Sequence, residues 1–117
     1  MKIVYFDLET TAGRFQEIIH IGAKYGNERG WEQYILPDDF ITAKGTQIHG
    51  MYEDQGMLYN HRGNPLPACA PLVGYQRFLN YLFRIKGQSD FIVLCAHNCK
   101  GFDLRGKYLD FKYQFQV

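Results

Sequence analysis

Two carboxylates, Asp7 and Glu9, stand two residues apart in the stretch FDLETT (residues 6–11), directly after the apolar run Ile3-Val4-Tyr5-Phe6. In an extended strand successive side chains alternate faces, so Asp7 and Glu9 point the same way while Leu8 points back into a core. Side by side, two negative charges repel, and the usual compensation is a divalent metal or an Arg/Lys clamp. No Lys or Arg lies within the motif. The bland alternative has one acid capping a helix that starts near Thr10 while the other is solvated.

A third carboxylate, Asp103, ends the stretch AHNCKGFD (96–103), which follows a second apolar run, FIVLC at 91–95. If that run pairs beside the strand from Ile3, then Asp7, Glu9 and Asp103 converge on one end of a sheet. In open α/β sheets, the crevice beyond the strand ends is where ligands collect. Three hard-oxygen ligands fit Mg²⁺ or Mn²⁺, and two such ions about 3.5–4 Å apart are the usual device for cleaving a phosphodiester. A zinc cluster of Cys95, His97 and Cys99 has no fourth ligand spaced to close a tetrahedron.

The elements that must position these acids follow from periodicity. Residues 2–8 read as a strand, 17–25 as a second after a loop containing Gly13, and 31–36 as a third ended by Pro37 and Asp38-Asp39. Three short strands in a row point to an antiparallel meander. Thr42 is an N-cap and Gly50 a stop for a short helical or turn segment, and 51–70, rich in Gly and Pro, reads as irregular. From Leu72 to Lys86, Leu72, Tyr75, Phe78, Leu79, Leu82 and Phe83 fall at helical spacing, with Gln76, Arg77, Asn80 and Arg84 opposite and Gly87 closing the helix. These aromatic residues are read as core. The run 91–95 reads as a strand buried on both faces, a further helix as starting around Asp103, and the tail KYQFQV as strand-like. The order predicts an α/β fold with a mixed sheet, the meander being followed by a crossover to a parallel strand.

A chain of 117 residues is one domain, and 46% hydrophobic with 16% aromatic content is enough for an ordered core. With 13 basic against 12 acidic residues, the net charge of +1 gives no global attraction to nucleic acid or an anionic membrane, so any nucleic-acid contact must be local. Three cysteines, odd in number and without a C-x-x-C spacing, point to a reducing compartment. The first apolar run is cut at Asp7 before it reaches a signal-peptide core. An intracellular location, cytoplasm or nucleus, without a signal peptide is the expectation.

Together FDLETT, the following EIIHIGA, IHG at 48–50 and AHNCKGFD resemble the DEDD superfamily of 3′-5′ exonucleases, with sensible spacing over nearly the whole chain. NPLPACAPL, ahead of the long helix, looks most like the TREX and PML-type domains of the DEDDh branch. The resemblance implies a ribonuclease H-like fold and metal-dependent hydrolysis of DNA or RNA, single-stranded or at a 3′ terminus. Asp7, Glu9 and Asp103 would be the catalytic metal ligands for two Mg²⁺ or Mn²⁺ ions. It further implies that the backbone around Leu8, Thr10 and Thr11 holds the terminal nucleotide, that Asn98 and His97 shape the floor of the site, and that His49 and Gly50 form a turn beside the substrate channel. For His49 a purely turn-stabilising role stands as the alternative, and His20 is read as a core-edge histidine.

The family pattern also needs a fourth acidic ligand and, in the DEDDh branch, a general-base His on a later helix. Val117 follows Asp103 by only fourteen residues, so this third motif is absent. Asp110, if helical, would lie about 10 Å along the axis from Asp103, too far to serve the same ions. The 117 residues therefore read as the N-terminal part of a single exonuclease-like domain, C-terminally incomplete and inactive or weak alone, since losing a general base costs about 10²–10⁴ in rate. Two other readings remain. One is a catalytically degenerate fold that binds nucleic acid or protein, with Lys100, Arg105, Lys107 and Lys112 near the site; those charges equally fit a solvated helix face. The other is a homodimer, or a domain completed by a partner chain through an exposed strand edge.

Overall fold

The computed structural model describes residues 2–96, in the order β1 (Lys2–Thr10), β2 (Ile18–Tyr25), β3 (Trp31–Ile35), α1 (Ala43–His49), β4 (Tyr52–Asp54), β5 (Met57–Tyr59), β6 (Ala68–Cys69), α2 (Pro71–Lys86) and β7 (Ile92–Ala96). The expected helix near Asp103 and the strand-like tail lie outside the described residues.

The fold is mixed α/β. A five-stranded sheet runs in the order β6-β3-β2-β1-β7, with β1-β2 and β2-β3 antiparallel and β1-β7 and β3-β6 parallel. The expected meander is therefore present, and so is the crossover to a parallel strand beside β1. Apolar alternation makes one face of this sheet a core. Val4 and Phe6 of β1, Ala23 of β2, and Ile92 and Leu94 of β7 are all buried against Tyr81, Leu82 and Ile85 of α2. The Lys2 ammonium donates to Ile85 O at 2.7 Å and ties the start of β1 to the end of α2.

Four sequence expectations are corrected. The strand from Lys2 runs through Thr10, so both acids lie inside it and neither caps a helix. Residues 51–70 contain the β4-β5 hairpin and the short strand β6. The hairpin turns on Gln55 and Gly56, both with positive φ (51° and 79°), the two-residue geometry that matches strand twist. β7 is buried on one side only: Ile92 and Leu94 are fully enclosed while Val93 and Cys95 are half-buried.

The fourth correction concerns α2. Its buried residues are Gly74, Tyr81, Leu82 and Ile85, whereas Leu72 is 82% exposed and Phe83 55%, with Tyr75 also exposed. Gly74 sets this rotation. A Cβ there would lie 2.6 Å from Ile35 Cγ1, so the helix meets β3 through the one residue that has no side chain. Phe78 and Tyr81 then stack on Trp31, with centroids 5.5 and 5.2 Å apart. Among the described residues no helix is long and apolar enough to cross a membrane.

Candidate metal and nucleic-acid site

The register of the sheet assigns Asp7 and Glu9 to one face. Val4, Phe6 and the partly buried Leu8 pack towards α2, so by alternation Tyr5, Asp7 and Glu9 face away from it. Asp7 is exposed and Glu9 half-buried. The two acids are about 6.8 Å apart along the strand at ~3.4 Å per residue. One oxygen of Asp7 accepts the neighbouring Leu8 N–H at 3.0 Å.

Across the sheet, Asp7 pairs with Gly22 and Glu9 with His20, and these pair with Glu32 and Tyr34 of β3. The His20 Nε2 and Glu32 carboxylate are 3.1 Å apart, and the His20 ring lies 4.6 Å from that of Tyr34. His20 is thus half-buried on β2, at the edge of the core as expected, and also belongs to a polar row beside Glu9. Burial first, and the Glu32 carboxylate second, push the Tyr34 phenol above its ordinary value, so Tyr34 stays neutral beside the acids.

β7 runs beside β1 and ends next to the acid pair. Ala96, its last residue, pairs in parallel with Phe6, the residue before Asp7. His97, Asn98, Cys99 and Asp103 lie outside the described residues. Among the described residues no group of three His, Cys, Asp or Glu side chains is placed to hold a metal ion; Asp7 and Glu9 supply a pair. Two carboxylates on one accessible face are the hard-oxygen donors that Mg²⁺ and Mn²⁺ take, and to that extent the donor set fits.

The segment after Glu9 is held from three sides. Thr11, a polar residue buried to 2% exposure, donates its N–H to Glu17 O and accepts at its carbonyl both the N–H and the hydroxyl of Thr42. The same Thr42 hydroxyl accepts the Gly45 N–H and so caps α1 as its sequence position suggests. Gly50, in the left-handed conformation, ends the helix. Gly45 allows the close approach, since a Cβ there would stand 2.7 Å from Thr11 O.

His49, at the end of α1, reaches back to β1. Its Nδ1 accepts the Met51 N–H at 3.0 Å, which puts the ring proton on Nε2, 2.9 Å from Thr10 O. Both ring nitrogens are therefore engaged with backbone, as a turn-stabilising role requires. The Thr10 hydroxyl accepts the Ala12 N–H at 3.1 Å. Of the expected nucleotide-holding positions, Leu8 is packed on the core and the Thr11 side chain is enclosed.

Glu17 is a supporting residue that sequence reasoning missed. Its two carboxylate oxygens accept the N–H groups of Asp38 and Asp39 at 3.0 and 2.7 Å, fixing the loop that leads into α1. Only the acid pair Asp38-Asp39 after Pro37 marked that loop in the sequence. On the face that carries Asp7 the sheet also holds an open groove of about 640 Å³, lined by Tyr5, Asp7, Gly22, Lys24, Arg29 and Glu32 among others. Neither a family model nor a curated protein matches this chain.

Proposed function

We propose that this chain carries a metal-dependent 3′-5′ exonuclease domain of ribonuclease H-like architecture, acting on nucleic acid. The observation that carries the reading is the juxtaposition at the end of β1: Asp7 and Glu9 share a face, and β7 ends at Ala96 opposite Phe6, seven residues before Asp103 in the sequence. Asp7, Glu9 and Asp103 are the residues that would hold Mg²⁺ or Mn²⁺. When bound, such ions supply an activated water and charge stabilisation at the leaving oxygen.

The chain's own contribution is placement. β1 fixes the spacing of the two acids, Thr11 and Thr42 lock the turn that follows, and His49 holds the Thr10 carbonyl. The resulting rigid rim beside the acids is where a terminal nucleotide would sit, with its contacts made to backbone near Leu8 to Thr11.

The test is Mn²⁺ binding, followed by electron paramagnetic resonance, in wild type, Asp7→Asn, Glu9→Gln and Asp103→Asn. Each substitution is expected to weaken binding at least tenfold, since each removes a charged ligand from a small donor set. Mn²⁺ affinity unchanged in Asp7→Asn would sink the metal-site assignment. A 5′-labelled oligonucleotide then reads activity: fragments shortening from the 3′ end in wild type but not in Asp7→Asn support hydrolysis. Metal binding without shortening supports the degenerate, binding-only form of the fold.

A further inference from the structure

The groove on the sheet face opposite α2 has a polarity of its own. Tyr5 pairs with Lys24, and Asp7 with Gly22, so Lys24 lies one same-face step towards the start of β1 from the level of Asp7. Arg29, in the turn between β2 and β3, lines the same end. Among the described residues neither Lys24 nor Arg29 makes an ion pair, whereas Glu32 is occupied by His20. Gly22 leaves the floor open, and an added Cβ would meet only His20 Cε1 at 3.5 Å. Tyr5, 54% exposed, stands directly across from Lys24 and one same-face step from Asp7, and offers an aromatic surface on this side of the sheet.

Two cations without an ion-pair partner among the described residues, an exposed tyrosine and a strand surface are the components with which sheets bind single-stranded nucleic acid: cations take phosphates and the ring takes a base by stacking. The near-zero net charge of the whole chain makes such binding depend on this local pair. We infer that the groove is a track for single-stranded nucleic acid, with a base stacked on Tyr5 and a backbone phosphate on Lys24 and Arg29, one nucleotide step inward from an end held at Asp7 and Glu9. The placement of that end rests on the proposed function; the track itself does not.

The experiment measures fluorescence anisotropy of a labelled eight-nucleotide single strand in EDTA over a series of salt concentrations. The proteins are wild type, Lys24→Gln/Arg29→Gln, Tyr5→Ala and, as a cation outside the groove, Arg62→Gln. The double variant is expected to bind at least tenfold more weakly, with the slope of log affinity against log salt reduced by roughly 0.7 for each phosphate no longer neutralised. Tyr5→Ala is expected to weaken binding at least about fivefold, the lower range for one base–aromatic stack, and Arg62→Gln to leave it unchanged. All the substituted side chains are on the surface, and far-ultraviolet circular dichroism confirms that each variant is folded.

Affinity and salt slope unchanged in the folded double variant would overturn the track, as would equal weakening in Arg62→Gln. A blunt duplex of the same sequence competing as well as the single strand would overturn stacking on Tyr5. Because binding is read without metal, failure here is separate from failure of the Mn²⁺ titration of Asp7→Asn, which concerns only the acids.

Discussion

A histidine whose two ring nitrogens are both engaged with backbone has little left to offer a ligand, and His49 is in that position between Met51 N–H and Thr10 O. Its imidazole bridges the end of α1 to the end of β1. His49→Ala leaves two partly buried backbone groups without partners, and should cost about 1–3 kcal/mol in urea unfolding. A direct substrate contact would instead lower oligonucleotide affinity with stability unchanged. Tyr81 gives the opposite case. Its hydroxyl is buried without a hydrogen-bond partner among the described residues, while its ring lies under the Arg84 guanidinium, 5.4 Å from the centroid. Burial pushes this phenol up; Arg84 pulls it down less strongly, and Glu28 adds to the rise. The folded state thus disfavours the phenolate more than the unfolded chain does. Stability is unaffected well below pH 10 and falls as pH rises through the unfolded value of 10.0 towards the higher folded one. Tyr81→Phe keeps the ring and removes the hydroxyl. At pH 7 it should be neutral or stabilising by up to about 1 kcal/mol, and its advantage over wild type in urea midpoint should widen above pH 10. A variant less stable than wild type at both pH values would mean that the hydroxyl has a partner.

Among the elements, α1 is the brace of the candidate site, and its placement turns on a missing side chain. Gly45→Ala gains up to about 1 kcal/mol of helix propensity, yet its Cβ would stand 2.7 Å from Thr11 O. Backbone on both sides must then separate, at about 1–3 kcal/mol. The variant should therefore melt lower than wild type despite the better helix former, and weaken Mn²⁺ binding by shifting the segment after Glu9; a higher melting temperature would show that the approach is not tight. The ends of α1 were legible in the sequence because caps are local signals, Thr42 bonding three residues on and Gly50 taking a left-handed turn. β1, β2 and β3 were legible from alternation, and the β1-β7 pairing from the two apolar runs that precede the acids. The hairpin was not, because Gln55-Gly56 lacks the usual Asn or Asp before the glycine. The rotation of α2 was misread for a related reason. Counting apolar residues selects Leu72, Tyr75 and Phe83, but the approach to Ile35 through Gly74 turns that stripe outward. Glu17 holding Asp38 and Asp39 spans more than twenty residues, beyond anything a periodicity registers.

At the scale of the whole sheet, among the described residues, one face is closed by α2 and the other holds Asp7, Glu9, Lys24 and Tyr5 together, so the apolar core and the proposed ligand-binding groups lie on different sides. The core of Val4, Phe6, Leu82, Ile92 and Leu94 is apolar, whereas the opposite face carries the acid pair, whose charges repel. Without metal, two like charges about 6.8 Å apart on one strand oppose folding by about 0.6 kcal/mol at the dielectric constant of water, and by more where water is excluded. Glu9→Gln removes that repulsion and should raise the melting temperature in EDTA at low ionic strength by about 2–5 °C, taking 4–8 °C per kcal/mol for a domain of this size. Added salt should shrink the gain, because the interaction is screened within about 10 Å at 0.1 M. With Mn²⁺ the order should reverse. An ion that binds only the folded chain adds about 2.7 kcal/mol at a concentration of 100 Kd, and the variant, having lost a ligand, gains less from the same concentration. The two melting curves should therefore cross as Mn²⁺ is titrated. A variant that stays above wild type at every Mn²⁺ concentration would show that the acids repel without sharing an ion, and the carboxylates on β1 would then need a cationic partner of another kind.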